Sequence, residues 1–168
     1  GRIDALVVAG CLAQRYGRSL MEEIHEIDAL IGTGDCGLCV EAVHGALRGE
    51  RPVLVGTPGF LAEEGGPRVV ATPGHFAYLK IAEGCANRCS YCLIPSLRGP
   101  ARSRPVEAIV REAESLASSG VRELIVIAQD TTAYGRDLYG RPSLARLLRQ
   151  LVGVDGIEWI RVMYTYPS

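Results

Sequence analysis

The sequence is most constrained by a rhythm of short apolar runs that alternate with helical segments. Residues 124–128, Leu-Ile-Val-Ile-Ala, are apolar without interruption, which is typical of a parallel strand covered on both faces. Apolar runs at 78–82 and 159–164 predict two more strands. Apolar residues at helical spacing fill both intervals, and Pro105 stands where the first of these helices begins. Strands joined by helical crossovers indicate a parallel α/β layer.

The second half of the chain is too short to close into an eight-stranded barrel. Such a barrel takes roughly 250 residues, and residues 75–168 supply about 94. We therefore expect half of a parallel barrel in this part of the chain, with a doubly wound sheet as the alternative.

The first half predicts a smaller α/β layer, and a segment rich in proline follows it. Residues 5–9 and 29–31 are expected to be strands, and two helices are marked by the apolar residues Leu20, Ile24 and Ile27 and by Val40, Val43 and Leu47. Residues 57–74 contain three prolines and no sustained periodicity, which indicates a linker. The predicted organisation is a domain over 1–56, a linker over 57–74 and a second domain over 75–168.

Composition excludes several broad classes of protein. The chain is 48% hydrophobic and 22% charged, as expected of a soluble globular protein. No run approaches the roughly 20 apolar residues of a membrane span, so we expect a cytoplasmic protein without membrane contact. A formal net charge of −1 is unlike that of a general nucleic-acid binder. The chain starts at Gly1 and ends just after an apolar run, and we expect it to be an internal segment of a longer protein.

Three cysteines lie within eight residues, directly after the predicted strand at 78–82. Cys85, Cys89 and Cys92 supply soft thiolate ligands, which iron–sulfur clusters and zinc both select. Three ligands on a four-iron cluster leave one iron open for a small molecule. A structural zinc site needs a fourth ligand, and His75 is the nearby histidine. The spacing therefore favours an iron–sulfur cluster, with structural zinc or three buried, unreactive thiols as the alternatives.

The segment around these cysteines resembles a known family. Its run YLKIAEGCANRCSYCLIPSLRGPARSRP, residues 78–105, is similar to the methylthiotransferases of the radical S-adenosylmethionine (SAM) superfamily, and most similar to the branch that modifies a ribosomal protein. The resemblance implies that residues 1–56 are the C-terminal part of the family's α/β N-terminal domain. Residues 75–168 would then be the first half of its partial (β/α) barrel.

The resemblance also implies cofactors and the residues that hold them. Cys85, Cys89 and Cys92 would ligate a [4Fe–4S] cluster that binds SAM and cleaves it, after one-electron reduction, to methionine and a 5′-deoxyadenosyl radical. Tyr91 would lie beside the adenine, although its plain alternative is an ordinary packing aromatic. Gln129 and Asp130, which follow the strand at 124–128, would contact SAM; the alternative is a polar turn that closes the strand.

Cys11 is expected to belong to a second cluster. From the residues alone, it follows a strand, at the edge where α/β sheets place ligands, but a lone cysteine after glycine is more often structural. The resemblance implies that Cys11 is one of three ligands of a second [4Fe–4S] cluster in the full-length protein, with the other two before Gly1. Cys36 and Cys39 match no ligand position of the family, and we expect a pair that packs or is partly exposed. Their role stays open.

The family's reaction replaces an unactivated C–H bond with C–SCH₃. The segment from Gln129 to Gly135 and the ending Tyr164-Thr165-Tyr166-Pro167 resemble the branch that acts on an aspartate β-carbon of ribosomal protein S-twelve (uS12). The alternatives are a methylthiotransferase for a modified adenosine in transfer RNA and a non-catalytic iron–sulfur or zinc module. The resemblance further implies an electron donor and RNA binding through a missing C-terminal domain, and we expect the segment to be inactive alone.

A cluster of arginines follows the cysteines. Arg98, Arg102 and Arg104 have the fork geometry that binds a carboxylate, a phosphate or a substrate backbone. A solvated arginine cluster is the plainer interpretation, and we expect it here.

Overall fold

The structure is a computed structural model, which describes residues 3–61 and 68–166. The predicted α/β class is confirmed. The strands are β1 (Val7–Ala9), β2 (Ala29–Ile31), β3 (Val53–Leu54), β4 (Phe76–Lys80), β5 (Ala82–Glu83), β6 (Arg102–Ser103), β7 (Glu123–Ile127) and β8 (Trp159–Val162). The helices are α1 (Cys11–Tyr16), α2 (Arg18–Glu23), α3 (Cys39–Leu47), α4 (Ile94–Arg98), α5 (Val106–Ser118), α6 (Arg136–Tyr139) and α7 (Leu144–Leu151).

The chain divides into two compact units. The first comprises Gly1–Phe60 and Asn87–Gly99, and the second comprises Leu61–Ala86 and Pro100–Ser168. The domain boundaries expected from the sequence stay a prediction. Within the described residues, no helix is long and apolar enough to cross a membrane.

The first unit is built on a parallel sheet in the order β1-β2-β3. The predicted helix between β1 and β2 divides at Gly17, whose φ of 52° glycine adopts readily. Leu20 and Ile27 are buried as expected, whereas Ile24 ends α2 in an extended conformation and is 41% exposed. Because α2 ends at Glu23, Ile24 lies outside the helix and does not share the buried face of Leu20.

Helix α3 packs with the opposite face from the one that its large apolar residues suggest. Ala42 and Ala46 are buried against Ala29 and Ile31 of β2, and Gly45 is buried with them. The apolar residues that mark the helix in the sequence are exposed: Val40, Val43 and Leu47. Small side chains let the helix approach the sheet closely, so close packing selects the alanine face.

The second unit contains a parallel sheet in the order β4-β7-β8. Leu79, Leu124 and Val126 are fully buried on one face, in a core formed with α5 and α7. The other face carries Ile125 and Ile127 of β7, which are only half-buried. The expectation that residues 124–128 are covered on both faces is therefore wrong, because both crossover helices pack on the same side of the sheet.

A short antiparallel pair closes the base of the segment that carries the cysteines. Strands β5 and β6 pair with the register Ala82 to Ser103 and Glu83 to Arg102. The apolar run at 78–82 predicted a single strand, and the pairing with Arg102 and Ser103 was not predicted. The pair holds the two ends of residues 84–101 together.

Candidate functional site

The three clustered cysteines lie on an irregular segment that leaves β5. Gly84 turns the chain out of the strand with a φ of 71°, a conformation that glycine adopts without steric cost. Cys89 and Cys92 form a turn in which the Cys92 amide donates a hydrogen bond to the Cys89 carbonyl, at 3.1 Å. The side chains of Cys85, Cys89 and Cys92 are all half-buried, and none of the three is engaged in a disulfide. They are therefore accessible for ligation.

No set of three or more His, Cys, Asp or Glu side chains within residues 3–61 and 68–166 lies close enough together to hold a metal ion. The three thiols are thus close together in sequence, but their side chains do not form a preformed metal site in this structure. The donor set still fits an iron–sulfur cluster, because its ligands are soft thiolates on one short loop.

His75 does not complete a zinc site with these cysteines. It stands directly before β4, where its carbonyl accepts the amides of Arg122 and Glu123, and Cys85 lies beyond the far end of that strand. Five residues of β-strand span about 16 Å. A zinc ion bound by Cys85 is therefore out of reach of His75, which disfavours the structural zinc alternative.

Tyr91, between two of the cysteines, does not behave as a packing aromatic. Its side chain is 88% exposed, whereas an aromatic residue that serves the core buries most of its surface. The ring is consequently free to stack on a planar ligand.

The loop after β7 holds its own shape. One Asp130 carboxylate oxygen accepts hydrogen bonds from the Thr132 amide at 3.0 Å, the Thr132 hydroxyl at 2.5 Å and the Ala133 amide at 3.3 Å. This arrangement is a side-chain turn typical of aspartate. Gln129, which precedes it, is exposed. Asp130 therefore shapes the loop, and the exposed Gln129 lies directly before it.

Two buried residues of the same loop anchor it through hydrogen bonds to backbone carbonyl groups. Thr131 is fully buried and donates its hydroxyl to the Met163 carbonyl at 2.8 Å. Tyr134 is 1% exposed and donates its hydroxyl to the Arg104 carbonyl at 2.7 Å. Burial raises the pKa of Tyr134 far above its usual value, because the charged phenolate is poorly solvated there.

Sequence reasoning missed a pair that links this loop to β6. The Asp137 carboxylate accepts hydrogen bonds from the Ser103 amide at 2.7 Å and from the Ser103 hydroxyl at 2.6 Å. The Gly135 amide in turn donates to the Ser103 hydroxyl oxygen at 2.9 Å. The available signal was Asp137 in the first turn of α6, a helix that begins directly after Gly135, but the partner of this aspartate lies 34 residues away.

The sequence predicted a solvated arginine cluster, but the three arginines differ in their exposure to solvent. Arg104 is 4% exposed; it donates to the Lys80 carbonyl at 2.8 Å and pairs with Glu112 at 2.6 Å. Arg68 pairs with the same Glu112 carboxylate. The expectation is wrong for Arg104 because its side chain ties α5 to the end of β4. Arg98 and Arg102 are half-buried.

The remaining cysteines lie in the first unit. Cys11 begins α1, just beyond β1, and is half-buried. Cys36 and Cys39 are exposed free thiols at the beginning of a 3-10 turn and of α3, respectively. The structure thus places Cys11 at the carboxyl end of the parallel sheet, where ligands bind in open α/β folds.

Comparison with known proteins places this site in a family context. Residues 79–168 match the model of the radical SAM superfamily. The whole chain is 57% identical to a protein of Pelotomaculum thermopropionicum and 57% identical to one of Symbiobacterium thermophilum, of which it covers 38% and 35%. It is 53% identical to a protein of Syntrophus aciditrophicus, of which it covers 38%. All three relatives carry the name ribosomal protein uS12 methylthiotransferase RimO.

A solved structure shares the fold. The radical S-adenosylmethionine methyltransferase TsrM from Kitasatospora setae, with cobalamin and a [4Fe–4S] cluster bound, superposes with a TM-score of 0.55 over 87% of this chain and 33% of its own. The two are 18% identical, so this likeness concerns the fold alone. The family match covers the last two residues of β4, all of β7 and β8, the cysteine segment and more than half of the sequence, and the chain belongs to the radical SAM superfamily.

Proposed function

We propose that this chain carries the SAM-binding centre of a methylthiotransferase that replaces a C–H bond of ribosomal protein uS12 with C–SCH₃. The observation that carries the proposal is 57% identity along all 168 residues, the cysteine segment included, to relatives with that name. Because the chain spans little more than a third of those relatives, the activity is proposed for the whole protein. The proposed position of modification, an aspartate β-carbon, follows from the resemblance of residues 129–135 to the branch of the family that modifies a ribosomal protein.

Cys85, Cys89 and Cys92 are proposed to hold a [4Fe–4S] cluster. Their half-buried position and their absence from disulfides support this assignment, as does the distant position of His75, which removes the histidine considered as a fourth ligand. When bound, the cluster supplies the one-electron reduction of SAM, which no protein side chain can perform. The open coordination position that three ligands leave would receive the amino and carboxylate groups of SAM.

The neighbouring residues would shape the SAM site. Tyr91, with 88% of its side chain exposed, would stack on the adenine. Gln129 is exposed at the end of β7, where its amide would contact SAM, and Asp130 would support that contact by holding the turn. Cys11 would ligate a second cluster, together with ligands from outside these 168 residues.

The whole protein is proposed to work in the cytoplasm with an external one-electron donor. Any RNA contact would come from parts of the protein other than this chain, whose formal net charge is −1, because phosphate binding depends on a concentration of positive charge.

Anaerobic reconstitution tests the cluster assignment. The chain is reconstituted with iron and sulfide beside two variants: Cys85, Cys89 and Cys92 replaced by Ala, and the control with Cys36 and Cys39 replaced by Ala. We expect about four iron atoms and an absorbance near roughly 400 nm in the wild type and the control, and neither in the first variant. SAM should shift the spectrum of the cluster, because one iron lacks a protein ligand. Full iron content in the first variant would exclude the assignment.

A chimera tests the substrate. The chain replaces the aligned residues of the Pelotomaculum thermopropionicum relative, and the unaltered relative is the positive control. Both are offered uS12 and transfer RNA under reducing, anaerobic conditions. We expect a mass gain of one methylthio group in place of hydrogen on uS12. A gain on transfer RNA alone would replace the proposed substrate with the modified adenosine.

A further inference from the structure

Thr33, in the loop after β2, connects the first sheet to the segment that follows the cysteines. Its amide donates to the Gln14 side-chain oxygen at 2.9 Å. Its hydroxyl oxygen lies 2.5 Å from the Leu97 carbonyl and 3.1 Å from the same Gln14 oxygen. A hydroxyl has one proton to donate, so the shorter contact, to Leu97, is the donated hydrogen bond.

Gln14 holds Thr33 in place because both ends of its side chain are engaged. Its nitrogen donates to the Gly56 carbonyl at 3.0 Å, and the Gly56 amide donates to the Asp35 carboxylate at 2.8 Å. Gly32 permits this arrangement, since a Cβ there would lie 2.5 Å from the Gln14 oxygen and 2.6 Å from an Asp35 oxygen. The loops after β2 and β3 therefore present the Thr33 hydroxyl at a defined position.

The acceptor of that hydrogen bond belongs to a helix that needs outside support. Helix α4 has five residues and begins two positions after Cys92. A helix this short is not stable by itself in water, and its last carbonyl groups have no partner within the helix. The Thr33 hydroxyl supplies a partner to one of them, at Leu97, and α1 packs against the same helix.

We propose that Thr33 is a positioning residue for the cysteine segment. By capping α4 it orders residues 89–98 and holds Cys89 and Cys92 where the cluster is to bind, and Gln14 acts by fixing Thr33. The role assigned to the two thiols rests on the proposed function. The ordering of residues 89–98 does not, and it is measured without a cofactor.

Hydrogen exchange in the cofactor-free chain tests the ordering. Thr33→Val keeps the side-chain shape and removes the hydroxyl, whereas Thr33→Ser keeps the hydroxyl. We expect Thr33→Val to speed exchange over 89–98 about fivefold, the factor that corresponds to one net hydrogen bond, and Thr33→Ser to restore it. Alkylation of Cys89 and Cys92 should accelerate in parallel, while that of exposed Cys39 stays constant.

The matched control is Thr72→Val, which removes a hydroxyl bonded to the Phe76 carbonyl at 2.6 Å in the second unit. It should leave exchange over 89–98 unchanged. Unchanged exchange in Thr33→Val, or no rescue by Thr33→Ser, would overturn the proposal. An equal rise in the exchange rates of residues 29–31 and 89–98 would also overturn it, since Thr33 would then support the sheet as a whole. Failure of every variant to bind iron would count against the proposed function and leave this measurement intact.

Discussion

Tyr134 combines a large, buried ring with a hydroxyl that has a defined partner. The side chain is 1% exposed, and its hydroxyl donates to the Arg104 carbonyl at 2.7 Å. Tyr134→Phe removes that hydroxyl and keeps the ring in the core. At neutral pH we expect the free energy of unfolding to fall by about 1.5 kcal/mol, because a buried carbonyl loses its donor.

The difference in the free energy of unfolding between the wild type and Tyr134→Phe should depend on pH. Burial raises the pKa of Tyr134 above its usual value of 10.0, so above pH 10 the tyrosine ionises in the unfolded chain before it does so in the folded one. The unfolded state then binds fewer protons, and the wild type loses about 1.4 kcal/mol of stability per pH unit through this residue. The phenylalanine variant lacks this loss. The free energies of unfolding of the two proteins should therefore become equal at about pH 11, and Tyr134→Phe should be the more stable protein at higher pH.

Urea unfolding followed by circular dichroism, at intervals from pH 8 to 11.5, measures both effects. Tyr166→Phe, at a residue that is 60% exposed, is the control and should match the wild type throughout. A wild-type advantage that stays constant through pH 11 would refute the reasoning, since it would mean that the Tyr134 hydroxyl ionises equally in both states.

Three further changes test packing by the same unfolding measurement. Leu124→Ala, at a side chain with 0% exposure, should cost about 2–5 kcal/mol through cavity formation; a loss below about 1 kcal/mol would contradict that packing. Gly32→Ala places a Cβ 2.5 Å from a side-chain oxygen of α1 and should cost about 1–3 kcal/mol, whereas Gly37→Ala meets nothing within 4 Å and should change stability by less than about 0.5 kcal/mol. Equal effects of the two glycine variants would exclude the proposed crowding. Glu112→Ala leaves the 4% exposed Arg104 without its carboxylate and should cost about 3 kcal/mol; an unchanged stability would show that this ion pair contributes nothing.

The short-range pattern of apolar residues was sufficient to predict the longer helices and strands of the second unit. Apolar residues at helical spacing from Val106 to Leu116 predicted α5, and the apolar run at 124–128 predicted β7. The order of strand and helix followed, because a parallel pair requires a crossover. The pairing of β5 with β6 was missed, since two residues per strand are too few to show a period.

The sequence by itself determined the class of the fold and the thiols available to a cofactor. Both depend on neighbouring residues: the period of apolar side chains, and the spacing of Cys85, Cys89 and Cys92. Only the tertiary structure decided which face of α3 is buried, that Ser103 bonds to Asp137, and that Thr33 caps α4 across 64 residues. These contacts join groups that are far apart in the chain, and they form where close packing leaves a buried donor beside an acceptor, a condition that no local pattern records.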